Sequence, residues 1–399
     1  MKKMIKLLNL AILLPLISAC GNHPTAEDDD NADGFWSEQI TQVSEDPNKG
    51  SGNTFELVDS QNRTVTIDKT KREKVICLGA GALRMYSYIG DMSKLIAIED
   101  IDRQPFGVGT ALRPYYSANK ELFASLPSAG KGGPMAQAPE METLGALNPD
   151  IIVSIYSDAS VNDQIASTLR IPVIALTQGN NGIFDKITCD SLLLLGKAFD
   201  KVEKANQLVK YIADTKEEFK KLNKSSESYY AGCIGNWGKT NLYGSFDNFP
   251  VFRVARVKNA LEGLSGLTKN KQVTIDSEKL LSIDPDKIFI DGAGFSGFAG
   301  DYKSDPTVYN SLKAFKNKEI YSLLPYNAYY TNLEIQMIST YYVASVAHPD
   351  SFKNFDIAKK ADEITTKFLG KEMYQEMKAH STSLGGYQKI DVEELVKGE

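Results

Sequence analysis

One pattern occurs twice in this chain, and it fixes the architecture more firmly than any single residue. The first copy reads Pro139-Glu-Met-Glu-Thr-Leu-Gly-Ala-Leu-Asn-Pro-Asp-Ile-Ile-Val. The second reads Asp276-Ser-Glu-Lys-Leu-Leu-Ser-Ile-Asp-Pro-Asp-Lys-Ile-Phe-Ile. Each presents a glutamate, a short apolar helix face, an Asn/Asp-Pro-Asp turn and a buried strand. Proline disfavours helix in the residue before it, so each helix stops there and the chain turns into the strand. A helix-to-strand unit used in both halves predicts two α/β lobes on one plan.

The surrounding pattern agrees. Around Ser60-Gln61-Asn62, Phe55–Asp59 and Arg63–Ile67 alternate as a hairpin. Val75-Ile-Cys-Leu, Leu95-Ile-Ala-Ile, Ile151–Ile155 and Pro172–Leu176 read as strands between helices, which implies a parallel, doubly wound sheet. The second half repeats the alternation from Tyr229, with helices expected over 252–264, 308–315, 332–347 and 357–378. Between them, 183–222 lacks proline and has only Gly196 as a breaker. It predicts one long helix, kinked near Gly196, that bridges the lobes.

The N-terminus specifies location. Three lysines among Met1–Lys6 precede a short apolar stretch and Ile17-Ser18-Ala19-Cys20. That is a secretory signal, with too short an apolar run for a transmembrane helix. Glu27-Asp28-Asp29-Asp30 and the Gly/Ser/Pro content up to residue 53 predict a solvated tether. The expected division is 1–20 signal, 21–53 flexible acidic tether, 54–182 N-terminal lobe, 183–222 linking helix, and 223–399 C-terminal lobe with closing helices. A net charge of −6 argues against nucleic acid as a partner. Three histidines, His23, His348 and His380, do not converge into a zinc site. Cys77 and Cys233 lie in apolar strands and read as small buried residues, although one disulfide among Cys77, Cys189 and Cys233 is open.

The order of these pieces resembles the helix-linked periplasmic substrate-binding lipoproteins of ABC importers, nearest the iron-complex branch. The likeness runs from about Phe55 to Leu369. It rests on the hairpin, Val75-Ile-Cys-Leu-Gly-Ala-Gly-Ala-Leu-Arg84, the two repeat units, Phe246-Asp-Asn-Phe-Pro and Leu324-Pro-Tyr-Asn-Ala-Tyr-Tyr-Thr-Asn-Leu-Glu. Ile17-Ser18-Ala19-Cys20 resembles a lipobox, with Cys20 as the acylated residue. The resemblance implies a cleft between lobes, an ABC permease partner, a metal-chelate cargo such as a ferric siderophore, no cofactor, no catalysis and a monomer on a membrane anchor. It also implies that Glu142 and Glu278, at matching places in the repeat, dock on permease arginines.

Ligands in such folds meet loops at the carboxyl ends of strands. That selects Arg84 after the Gly79-Ala-Gly turn, Arg113, Tyr115 and Lys131 in the irregular stretch after Leu95–Ile98, and Trp237 at the end of the first C-terminal strand. Phe246, Arg253, Tyr326, Asn327 and Tyr329 complete the set. Aromatics with arginines suit a flat or catecholate-like anionic chelate; the same aromatics are also ordinary packing residues. Cobalamin, haem, a bare metal, a non-catalytic scaffold and an exported α/β enzyme are the alternatives. No Gly-x-Ser-x-Gly elbow supports the enzyme.

Overall fold

The computed structural model describes residues 34–103, 112–133, 140–235, 240–267, 271–380 and 384–397. Met1–Ser37 separates from the rest as its own unit; its described part is a turn, Ser37 N–H to Gly34 O, carrying the edge-to-face pair Phe35–Trp36. The second unit begins at Glu38 and contains both lobes.

A hairpin of β1 (Thr54–Val58) and β2 (Thr64–Asp68) leads into the first lobe. There β3 (Val75–Leu78), α1 (Ala82–Ile89), β4 (Leu95–Ala97), α2 (Asp100–Arg103), α3 (Pro114–Ser125), α4 (Met141–Leu147), β5 (Ile151–Ser154), α5 (Ala159–Leu169) and β6 (Val173–Ala175) follow. Helices α6 (Lys186–Ala198) and α7 (Val202–Lys220) lead to the second lobe. It contains β7 (Ser228–Gly232), β8 (Gly244–Phe246), α8 (Pro250–Val254), β9 (Lys258–Asn259), β10 (Gln272–Thr274), α9 (Ser277–Ile283), β11 (Lys287–Asp291), α10 (Phe295–Ser304), α11 (Thr307–Ser311), α12 (Lys313–Lys316) and β12 (Ile320–Leu323). The chain closes with α13 (Leu333–Ala347), α14 (Ile357–Leu369), α15 (Tyr374–His380) and α16 (Val392–Lys397).

Each lobe holds a four-stranded, all-parallel sheet. The orders are β4-β3-β5-β6 and β12-β11-β7-β9. Numbered within its own lobe, each sheet has the order 2-1-3-4, so the duplicated sequence unit belongs to a duplicated topology. The strands are apolar on both faces, as parallel strands covered by helices must be.

The repeat shows why its turn is Asn/Asp-Pro-Asp. Asn148 and Asp284 cap α4 and α9 in left-handed backbone, a conformation Asn and Asp tolerate best after glycine. Two residues on, Asp150 Oδ2 accepts from Glu73 and Lys74 N–H, and Asp286 Oδ2 accepts from Ser228 N–H. Each aspartate thus ties the third strand of its lobe to the start of the first.

The expected helix over 183–222 is two helices. Asp200 adopts φ 57°, and α7 turns back across α6. Gly196 is a crossing point instead of a kink: a Cβ there would lie 2.5 Å from Ala205 Cβ. α7 alone makes the long link. The helices expected over 252–264 and 357–378 also break, at Arg256 (φ 57°) and Gly370 (φ 72°). Residues 38–50, within the expected flexible tether, are strapped to the fold. Asn206 holds Val43 at both N–H and C=O, 2.9 Å each, and Asn48 Nδ2 donates to Lys197 O. Cys77, Cys189 and Cys233 are buried free thiols.

Gly196→Ala is expected to destabilise the chain by about 1–3 kcal/mol in urea unfolding, because the added methyl overpacks the α6–α7 crossing.

Candidate ligand-binding cleft

The carboxyl ends of the strands bring loops of both lobes together. On the N-terminal side these are Gly79-Ala80-Gly81 after β3, Glu99 after β4, Tyr156 after β5 and Gln178 after β6. Gly79 (φ +88°) and Gly81 (φ +100°) need the absence of a side chain. A Cβ on Gly81 would meet Gln178 Nε2 at 3.0 Å. The Gln178 amide nitrogen and oxygen are both buried and have no hydrogen-bond partner among the described residues. Unpartnered buried amides are uncommon and costly. On the C-terminal side, Phe246, Phe249 and Tyr326 form one aromatic cluster, with ring centroids 5.0–6.3 Å apart.

Beneath the cleft runs a polar seam. Arg84 is fully buried; its guanidinium donates to Tyr329 O (3.1 Å), Ala328 O (2.6 Å) and Asn332 Oδ1 (3.0 Å). Asn332, Glu334 and Gln336, all fully buried at the start of α13, reach into the other lobe. Asn332 Nδ2 donates to Leu112 O at 2.9 Å. Tyr88 OH donates to Glu334 Oε2 at 2.5 Å. Gln336 accepts from Ile183 N–H at 2.8 Å and donates to Asn181 O at 2.9 Å. Burial pushes the Glu334 carboxyl above its usual range, partly offset by the Arg84 charge.

A second acid group lies nearer the mouth. Glu99 Oε2 accepts from Gly79 N–H and from Tyr329 OH, 3.0 Å each. Burial, reinforced by the neighbouring Asp102 carboxylate, pushes Glu99 up to about 8. Asp102 is raised by burial but steadied by Arg113, 3.5 Å away, and by the Tyr115 hydroxyl.

The structure redistributes the expected ligand residues. Arg84 and Arg113 are at most 1% exposed, which removes both from any solvent-facing ligand surface. Arg113 donates to Ile101 O at 2.7 Å, and Tyr115 is buried against Asp102. Arg253 donates to Asn181 Oδ1 at 3.1 Å across the lobes. Arg84, Arg113 and Tyr115 are structural ties because a buried guanidinium or phenol must find partners inside the protein; Arg253 is half-buried. Lys131 is exposed; Phe246 and Asn327 are half-buried; Tyr326 and Tyr329 are buried beside them at the strand ends. Cys20 and Trp237 lie outside the described residues. Sequence reasoning missed Glu99, Tyr156 and Gln178. Glu99 had a signal, a carboxylate directly ending the apolar strand Leu95–Ile98; Gln178 had none.

The sequence profile of the family described as "Periplasmic binding protein" matches residues 95–326, more than half of the chain. The chain belongs to the periplasmic binding protein family. Solved structures carry the same two-lobed, helix-linked fold. A periplasmic solute-binding protein of Veillonella parvula superposes with TM-score 0.65 at 16% identity, covering 84% of this chain and 98% of that one. The TroA-like binding protein FepB of the same organism gives TM-score 0.59 at 19% identity, over 79% and 97%. The molybdate-bound MolA of Haemophilus influenzae gives TM-score 0.59 at 16%, over 80% and 98%. No curated protein sequence matches. Family membership implies export, and no helix among the described residues is long and apolar enough to cross a membrane. In this periplasmic binding protein Glu142 and Glu278 are both exposed, in the first turns of α4 and α9.

Glu99 binds its proton more tightly folded than unfolded, where a glutamate titrates near 4.5. Its contribution to stability is therefore present below about pH 4.5 and is lost progressively up to about pH 8. Comparing wild type with Glu99→Gln by urea unfolding across pH 5–8, the stability difference should move in the variant's favour by about one proton's slope. Arg84→Met should cost about 3 kcal/mol or more of stability, since it strands buried acceptors.

Proposed function

We propose that this periplasmic binding protein is lipid-anchored through Cys20, captures a metal chelate between its lobes and hands it to an ABC importer permease, with no chemistry of its own. The observation that carries the reading is the meeting of two matching sets of strand-end loops, one of which bears the unpartnered Gln178 amide. Phe246, Tyr326 and Tyr156 supply aromatic edges for a flat cargo, and Lys131 supplies an exposed cation. A chelate is favoured over a bare ion because no group of three His, Cys, Asp or Glu among the described residues could hold one. A ferric siderophore-like complex is the first reading of the cargo. The burial of Arg84 and Arg113, whose guanidiniums are committed to protein carbonyls, favours a second: a less anionic flat cargo, cobalamin or haem.

Thermal unfolding of the full chain with ferric enterobactin, ferric citrate, haem, cyanocobalamin and bare Fe³⁺ or Zn²⁺ tests both. A true cargo at 100 times its dissociation constant should stabilise by about 2.7 kcal/mol. Lys131→Ala should weaken an anionic chelate more than cobalamin. A shift with a bare ion alone would refute the chelate reading. For the partner, Glu142→Lys with Glu278→Lys should abolish cargo-stimulated permease ATPase activity while leaving cargo affinity unchanged. A Cys20→Ser chain should leave the membrane fraction.

A further inference from the structure

Three of the four residues Gly130, Lys131, Gly132 and Gly133 are glycines at positive φ (+115°, +62° and +98°), a backbone that other residues rarely adopt. This loop lies over Glu99 so closely that a Cβ on Gly132 would sit 2.6 Å from Glu99 Cβ. Its N-terminal part is tied within its own lobe by Asp100 N–H to Gly130 O and Ile101 N–H to Lys131 O. At Gly133 the tie crosses the cleft: Gly133 N–H donates to Tyr329 OH at 3.0 Å. That same hydroxyl donates to Glu99 Oε2.

Tyr329 is held for this contact from behind. It sits in the tip of a short hairpin, closed by the Asn327–Thr331 bridge and Ala328 N–H to Tyr330 O. Both Tyr329 (φ 52°) and Tyr330 (φ 74°) adopt left-handed backbone, which L side chains resist. Two consecutive tyrosines keep that conformation only where the surroundings impose it, and Arg84 does so by binding the carbonyls of Ala328 and Tyr329. The tip is fixed from behind, and Gly133 is the point at which the glycine loop meets it.

We propose that the Gly130–Gly133 loop is a flap over the cleft and that the Tyr329 hydroxyl, bridging Glu99 and Gly133, is its latch. Tyr329 and Glu99 are then positioning residues: they hold Lys131, the exposed cation of the flap, at the cleft mouth, and the bridge breaks when cargo enters or leaves. The latch itself stands whichever cargo the cleft takes. Closing buries the Glu99 carboxyl at 2% exposure. The groups that face it are Asp102 from α2, Tyr329, Gly79 N–H, Tyr156 after β5 and Cys77 of β3. Among the described residues only Asp102 brings a charge to bear on it, and that charge is repulsive. The latched state therefore holds the Glu99 proton more tightly than an open, hydrated state, and raising the pH towards 8 favours release.

Amide hydrogen exchange by mass spectrometry on the cargo-free full chain tests this. Tyr329→Phe should raise exchange of peptides spanning 130–133 at least tenfold, with peptides from β3 and α13 unchanged. In wild type, protection of that loop, corrected for intrinsic exchange, should fall between pH 6 and 9. In Glu99→Gln, which keeps an acceptor for both donors, protection should stay flat. Unchanged loop exchange in Tyr329→Phe, or an increase spread equally over β3 and α13, would overturn the latch. If Tyr329→Phe does not fold, the Glu99→Gln arm decides: a pH-dependent loss of protection like that of wild type overturns it.

Discussion

The structure depends on the first turns of α13, where Asn332, Glu334 and Gln336 are wholly buried and all bond into the opposite lobe. Such groups are tolerated inside a protein only when partnered, and losing a partner costs about 1–3 kcal/mol for each group left unsatisfied. The seam therefore specifies one angle between the lobes more than it adds net stability. α7 links the lobes covalently, while α13 and α14, packed on α1, fix their orientation. A cleft built over such a seam is preformed, and cargo binding would spend little free energy on rearrangement.

The seam also decides what is left to face a ligand. Arginines placed after strand ends read in the sequence as ligand groups, yet their fork of donors matches backbone carbonyls and side-chain amides equally well. Arg84 takes three such acceptors, and Arg253 reaches Asn181. Among the described residues, what stays near the mouth is aromatic rings, glycine backbone, Lys131 and the amide of Gln178. Below them Glu99 and Asp102 lie together, and burial keeps Glu99 protonated near neutral pH.

Much of the fold was legible because it rests on local signals. Glu142 to Asp150 and Glu278 to Asp286 repeat one helix-stop-and-strand signal, and both copies end in aspartates that tie two strands of their lobe. The two-helix break was not legible, since neither Asp200 nor the Gly196–Ala205 crossing announces itself without the packing that imposes it. Among the expected site residues, Lys131 is exposed and Phe246 and Asn327 are half-buried, whereas Arg84, Arg113 and Tyr115 are buried. Burial of a charged side chain depends on what the far lobe offers it, and that information lies some 250 residues away in the chain for Arg84. The polar residues spaced along the otherwise apolar α13 were the overlooked sign of the seam.

Hydrogen exchange of the Ile183 amide tests the seam most directly, because its N–H donates across the seam to Gln336 of the other lobe. If the lobes part only on global unfolding, it exchanges as slowly as the amides of β5 and β11, and urea accelerates all three together. If Ile183 exchanges orders of magnitude faster than those strands, with no dependence on urea, the seam opens by itself and does not set the angle of the cleft.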